Sequence, residues 1–313
     1  MSDSDTIRFG YLTDTHLSAT RTAFRTDSYL DSVLSKMAQC YRYFNDRHCA
    51  FIIHGGDFFD RPKAFSYPML LRAREIIMGS GIATYFIWGQ HDLTGYNRDS
   101  AGASSLAFLK EICDGVKLRE IPSAIEAAGI RLTACHVDGD PRKFLPALRP
   151  AGGMPQVAVV HALLYDKPSA FDTIDVHEIG ECAADVVLSG DLHCGFAPVR
   201  LGRTLYYNPG ALARTCREER RPRAAVVELR PLLGQWEASI EEFFPECEEY
   251  PFPAEDIPAP AAEIQQDSDA YIEAFTAFRA EARDIYERLA KTGKAHGVDP
   301  EILAYIDSKR KQE

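Results

Sequence analysis

Short apolar runs, each broken off by polar residues, set the rhythm of the first two thirds of the chain. Five of them, at 7–13, 50–53, 83–88, 157–160 and 186–189, are rich in β-branched and aromatic residues. Runs this short and this continuously apolar predict strands buried on both faces. Helix-like stretches lie between several of them, including 29–44 and 67–78, and 224–229 reads as a further strand. Strands alternating with helices predict a layered α/β domain over residues 1–230.

The pattern changes after that. Residues 245–260 hold five prolines among acidic residues, which predicts an extended, semi-rigid connector or a reduced cap over 231–262. Beyond it, Tyr271, Phe275, Phe278, Ala282, Ile285 and Leu289 recur at spacings of four and three. That is one apolar helix face. Asp299-Pro300-Glu301 then carries the cap, proline and acidic residue of a helix start. Residues 263–313 are therefore expected to be helical, with an apolar face for the chain's own domain or for a partner's helices.

Composition narrows the setting. Of 313 residues, 46% are apolar and 26% charged, as in soluble globular proteins. No run approaches the roughly 18–20 apolar residues of a membrane-spanning helix. The opening MSDSDTIRFG lacks the basic start and apolar core of a secretory signal. The eight cysteines contain no CxxC pair, which suits reduced thiols and a cytoplasmic location. The formal net charge of −11 would argue against a nucleic-acid partner, but residues 231–278 hold twelve acidic residues and no Lys or Arg. Setting that stretch aside leaves 34 of the 46 acidic residues against 35 basic ones. The acidity is local, and net charge leaves DNA open.

The chemistry sits where the runs end. In order, the ends carry Asp14-Thr15-His16, Gly56-Asp57-Phe58-Phe59-Asp60-Arg61, Gly89-Gln90-His91-Asp92, His161, and Gly190-Asp191-Leu192-His193. The carboxyl ends of strands in open α/β sheets line the functional crevice, so residues distant in sequence converge there. Carboxylates, imidazoles and an amide oxygen together suit divalent ions such as Mn²⁺, Fe²⁺ or Zn²⁺. His136, after 132–135, also ends a strand-like run and competes with His161 for the fourth place. His54 reads as a loop residue or one that supports the ligands from behind, while His48, His177 and His296 have no functional context.

The ordered set resembles the calcineurin-like metallophosphoesterases, whose signature runs DxH, GDxxD, GNH(D/E), a strand-ending His, and GHxH. The resemblance spans residues 14–193 and implies a layered sandwich with helices flanking central β-sheets. It implies two divalent ions, Mn²⁺ foremost with Mg²⁺, Fe²⁺ or Zn²⁺ as alternatives, which activate a shared water for attack on a phosphoester. By position, Asp14, His16 and His193 match the first-ion ligands, and Asp57 matches the bridging carboxylate. Gln90, His161 and Asp191 match the second-ion ligands. His91 matches the catalytic histidine and Asp60 the carboxylate that orients it. Two positions depart from the pattern: Gln90 replaces Asn, and Asp191 replaces His. Both fall on the second ion and keep ligand-type side chains.

Residues outside the signature point to a branch. Phe58-Phe59-Asp60-Arg61-Pro62 and Tyr207-Asn208-Pro209-Gly210-Ala211-Leu212-Ala213-Arg214 resemble segments of SbcD-type DNA nuclease subunits. That likeness implies hydrolysis of DNA phosphodiesters, DNA and an SbcC-type coiled-coil ATPase as partners, and a homodimer as a further expectation. Arg214, Arg217, Arg220, Arg221 and Arg223 against Glu218 and Glu219 make 214–223 locally basic, which suits contact with a phosphate backbone. Arg61 is a further candidate phosphate contact. Two other readings stand beside this one: a stand-alone phosphatase or phosphodiesterase for small phosphoesters or phosphoproteins, and a metal-poor binding subunit.

Overall fold

The first apolar run becomes β1 (Ile7–Leu12), and its residues divide by parity. Phe9 and Tyr11 pack into one hydrophobic cluster and Leu12 into another, all fully buried. A strand with apolar side chains on both faces must lie between two layers. The computed structural model describes residues 6–20, 25–63, 66–168, 172–215, 219 and 221–247, and all but Asp172 fall in one contact-defined unit.

Two six-stranded sheets form the centre. After β1 come α1 (Tyr29–Asp46), β2 (Ile52–His54), α2 (Tyr67–Gly79), β3 (Thr84–Phe86), α3 (Ser105–Ile112) and β4 (Leu118–Glu120). Next are β5 (Ala124–Ala127), β6 (Ile130–Cys135), α4 (Pro141–Ala147), β7 (Gln156–Ala162), the short pair β8 (Leu164–Tyr165) and β9 (Ile174–Asp175), and α5 (Val176–Ile179). The described elements close with β10 (Val186–Asp191), β11 (Phe196–Leu201), β12 (Thr204–Asn208), β13 (Ala224–Leu232) and β14 (Gln235–Phe243). The first sheet has the order β14-β13-β1-β2-β3-β4 and the second β11-β12-β10-β7-β6-β5. In the first sheet β1 to β4 run parallel and the β13–β14 hairpin joins β1 antiparallel; in the second β6, β7, β10 and β12 run parallel, with β5 and β11 antiparallel at the edges. The expected sandwich is therefore present, and the five runs are shared between two sheets.

The core follows from that arrangement. Phe9, Tyr11, Phe51, Ile53 and Ile87 of the first sheet meet Val157, Val159, Val186, Leu188 and Tyr207 of the second. On the outer face of the first sheet, α1 lays down Val33, Met37, Cys40 and Phe44, a stripe at helical spacing. Each fully buried side chain of this size contributes about 1.5–3 kcal/mol of transfer free energy. Ser66 and Ser104 cap α2 and α3 by accepting from the backbone N–H of Met69 and Ala107. No helix among the described residues is long and apolar enough to cross a membrane.

One boundary differs from expectation. Residues 231–243, assigned above to an acidic connector, are built into the first sheet: β13 runs through residue 230, and β14 pairs with it from Leu232↔Gln235 to Ala224↔Phe243. The two-residue turn Leu233-Gly234 has positive φ at both positions, 49° and 81°, as a twisted hairpin requires. Ala238 of β14 packs into the inter-sheet core and Trp236 and Ile240 against it, while Glu237 and Glu241 take the other face. The acidic count hid this alternation. The remaining connector and the helices expected over 263–313 lie outside the described residues.

Candidate metal centre

The strand ends deliver their side chains to one place. Asp14 and His16 follow β1, Asp57 follows β2, Gln90 and His91 follow β3, His161 lies near the end of β7, and Asp191 closes β10. Asp14, His16, Asp57 and Asp191 all hold positive φ, at 52°, 41°, 51° and 76°. Left-handed backbone at such residues costs about 1–3 kcal/mol each and persists only where the surroundings enforce it. Here a backbone ladder does so: Asp14 N–H donates to Gly56 O at 3.1 Å, His16 N–H to Asp57 O at 3.0 Å, and Leu17 N–H to Phe58 O at 2.9 Å. Gly89 allows the third loop to close on the second. A Cβ there would stand 2.1 Å from Asp57 Oδ1.

Ligand atoms converge in overlapping sets: Asp14, His16 and His193; His16, Asp57 and His91; and Asp14, Asp57 and His161. In the first, His16 Nε2 and His193 Nε2 lie 2.9 Å apart, and Asp14 Oδ1 is 3.9 and 3.8 Å from them. Asp57 Oδ2 stands between the ends of the site, 3.8 Å from His16 Nε2 and 3.5 Å from His161 Nε2. It is fully buried and has no hydrogen-bond partner. A buried, orphaned carboxylate oxygen flanked by imidazole nitrogens fits a bridging ligand to divalent cations, and the mixed N and O donor set suits Mn²⁺, Fe²⁺ or Zn²⁺.

The supporting bonds fix how the ligands face. His161 Nδ1 donates to Gly55 O at 2.7 Å, which turns Nε2 inward. His193 Nδ1 donates to Glu219 Oε1 at 2.6 Å, and that carboxylate also accepts from the hydroxyl of Thr215 at 2.7 Å. A carboxylate behind a histidine ligand sets its tautomer and raises its basicity. Burial opposes charge on His193, but Glu219 outweighs it, helped by Asp14 and Asp57, and the pKa is pushed up to about 9. Burial likewise opposes charge on His161, yet Asp57, Asp14 and Asp191 hold its pKa well above the usual range. Asp57 is buried too, and His161, His91 and His16 hold its carboxyl well below the usual range. Asp14 goes the other way, raised by burial to about 6 against the pull of His161 and His193. His16 goes against His161 and His193, held well below the usual range by burial and by the neighbouring His193.

Several sequence expectations change here. Asp60 does not orient His91 through its carboxylate. Its backbone carbonyl accepts from His91 Nδ1 at 2.9 Å, while the carboxylate lies 3.7 Å from Arg61 Nε. His136 has both ring nitrogens in use, accepting from Trp88 N–H at 3.1 Å and donating to Pro122 O at 2.8 Å. His161, rather than His136, joins the ligand sets. Asp191 lies beside the site but outside the three converging sets. His48 and His177 are exposed, and His296 lies outside the described residues. Arg61 has a side chain 75% exposed. Arg214 is only 8% exposed, and Arg217 lies outside the described residues.

Glu219 had no signal in the sequence, where it is one acid in an arginine-rich stretch. Asp92 ends the third block and is buried, accepting from the backbone N–H groups of Phe58, Phe59 and Gly89 at 3.1–3.3 Å. It ties the second and third loops together, and burial, reinforced by Asp57, raises its pKa to about 7. The segment after β12 braces the first ligand set. Ala211 N–H donates to His193 O at 2.9 Å, Leu212 N–H to Thr13 O at 3.2 Å and Ala213 N–H to Asp14 O at 3.2 Å. Two buried basic side chains hold this segment from behind. Arg25 donates to the carbonyls of Ala213 and Arg214 at 3.0 and 2.6 Å, and Lys36 to that of Ala213 at 2.7 Å. Lys36 did leave a trace in the sequence, as a lysine on the apolar stripe of α1.

The profile of the calcineurin-like phosphoesterase family matches residues 7–195. No curated protein sequence gives a match. Among solved structures, the chain is similar to the calcineurin-like phosphoesterase YfkN of Bacillus subtilis, at 12% identity and a TM-score of 0.46, covering 75% of this chain and 90% of that one. It is similar to a dimetal phosphatase of Danio rerio at 11% identity and 0.46, covering 77% and 99%. A putative 5′-nucleotidase of Staphylococcus aureus aligns at 12% identity and 0.47, covering 87% of this chain and 58% of that protein. These likenesses are too distant to speak of substrate.

Proposed function

Because the chain belongs to the calcineurin-like phosphoesterase family, a family of metal-dependent phosphoester hydrolases with a dinuclear site, we propose that it hydrolyses DNA phosphodiesters as the nuclease subunit of an SbcC–SbcD-like complex. One observation carries this reading. The Tyr207–Arg214 segment, whose sequence resembles SbcD-type nucleases, is the segment that braces Asp14 and His193 through backbone bonds. The likeness therefore falls on residues coupled to the chemistry rather than on a remote loop.

A bound pair of divalent ions supplies a nucleophilic water at neutral pH and neutralises charge on the phosphoryl oxygens. Asp14, His16 and His193 would hold one ion, His161 and Gln90 the other, with Asp57 between them. Gln90, His91 and His193 are part-exposed while Asp14, His16, Asp57 and His161 are buried, so substrate approaches over the His91 side. With Nδ1 committed to the Asp60 carbonyl, His91 Nε2 is the atom free to hand a proton to the leaving oxygen.

A second reading, a phosphodiesterase for small substrates, gains from the burial of two arginines of the basic stretch, Arg214 and Arg223. Arg223 bonds Pro209 O and Glu242, and Arg214 is buried, so neither is placed to grip a DNA backbone. Docking of a coiled-coil ATPase on 263–313 and self-association belong to the nuclease proposal. The deciding experiment offers linear duplex DNA, single-stranded DNA, bis(p-nitrophenyl) phosphate and p-nitrophenyl phosphate with Mn²⁺. Cleavage of DNA together with the diester is expected. Turnover of the small esters with both DNAs intact would overturn the nuclease proposal and favour the second reading.

A further inference from the structure

The two departures from the family signature, Gln90 and Asp191, meet each other across 101 residues of sequence. Gln90 Nε2 donates to Asp191 Oδ1 at 2.6 Å. The amide cannot be turned over, because its oxygen would then face a carboxylate oxygen at that distance, acceptor against acceptor. Gln90 Oε1 is left 2.8 Å from His161 Nε2. His161 gives its Nδ1 proton to Gly55 O, which leaves its Nε2 between Gln90 Oε1 and Asp57 Oδ2, the latter 3.5 Å away. Asp191 is itself located from behind, its backbone N–H donating to both carboxylate oxygens of Asp14 at 3.2 Å. Its carboxylate belongs to none of the converging ligand sets.

We infer that Asp191 is a positioning residue rather than a ligand: its carboxylate clamps the Gln90 amide so that Oε1 is presented to the second ion. The two departures are then one change. Glutamine is longer than asparagine by a methylene and reaches the short Asp191 carboxylate with its NH₂ while keeping its oxygen at the site. An asparagine at position 90 would fall short of Asp191, and a histidine at 191 would leave the Gln90 NH₂ without its acceptor. The second site keeps Asp57, His161 and Gln90, one side chain fewer than the signature supplies. This inference rests on the metal-dependent reading above.

The test is binding of Mn²⁺, followed by electron paramagnetic resonance titration of the full chain, with circular dichroism to verify folding. Gln90→Asn alone and Asp191→His alone should each weaken the second ion, by at least about the 10-fold typical of lost outer-sphere support. Gln90→Asn with Asp191→His should recover most of the wild-type affinity. If Asp191→His alone binds the second ion as tightly as wild type, or the double variant is no better than the worse single one, the inference is overturned. A truncation cycle guards against misfit of the larger ring. Asp191→Ala should cost far less in a Gln90→Ala background than in the wild type, and equal costs in the two backgrounds would mark Asp191 as an independent ligand. Wild-type protein that binds fewer than two Mn²⁺ ions would instead overturn the dinuclear premise, and the inference with it.

Discussion

Glu219→Gln removes the charge behind one ligand. The substitution keeps the size of the side chain and an oxygen that can accept from His193 Nδ1, and it gives up the second oxygen, which accepts from Thr215 N–H. The surroundings move His193 from 6.5 to about 9, which at 1.36 kcal/mol per unit is roughly 3 kcal/mol in favour of a positive ring. Glu219 is the largest favourable contributor, ahead of Asp14 and Asp57. An ion on Nε2 draws electron density from the ring as a proton does, though less, so the expected loss is the roughly 10–100-fold of a missing carboxylate–histidine pair. The pH dependence sharpens the test. Below about pH 9 the empty wild-type site holds a proton on His193 that the ion must displace, and the variant pays less of this competition. The deficit should therefore be largest near pH 9 and shrink toward pH 7. Anaerobic calorimetric titration with Mn²⁺ at both pH values, in buffers of different ionisation enthalpy, reads affinity and released protons together. Equal affinity at pH 9, or a deficit that grows as pH falls, would refute this account of the Glu219–His193 pair.

Three further outcomes are expected. Asp57→Asn should abolish hydrolysis and lower bound metal with little change in melting temperature, and full activity in that variant would refute the bridging role. His91→Ala should retain metal while losing about 10²–10⁴-fold in turnover, more for alkoxide than for activated aryl leaving groups; loss of one ion on elemental analysis would show instead that His91 is a ligand beside His16 and Asp57. Lys36 is buried and its pKa is pushed down to about 7, chiefly by burial, so between pH 7 and 10.5 the unfolded chain holds a proton that the folded chain lacks. Stability from this group must then rise with pH across that window, by up to about 1.4 kcal/mol per unit. Urea unfolding of wild type and Lys36→Met at pH 7 and 9.5 should show the variant losing stability relative to wild type as pH rises, and parallel profiles would contradict it.

Local order in the sequence was enough to determine the elements and the donor types. A run of apolar residues that is buried on both faces can hardly be anything but an inner strand. Polar residues at such strand ends are forced to the edge of a layered fold, so Asp14, His16, Asp57 and His193 could be grouped before the family resemblance gave them roles, while His161 still competed with His136 for the fourth place. What the sequence could not carry was any bond whose partner depends on how two sheets face each other. The acidic residues of 235–243 read as a connector until pairing with β13 placed Ala238 in the inter-sheet core. Asp60 carried the expected carboxylate, but the backbone carbonyl reached His91. Glu219 lies 26 residues from His193 and Asp191 lies 101 from Gln90. Side-chain type restricts which atoms can bind an ion, whereas hydrogen-bond geometry, good only within a few tenths of an ångström, decides which of them do. That geometry exists only once the long-range packing has brought the loops together.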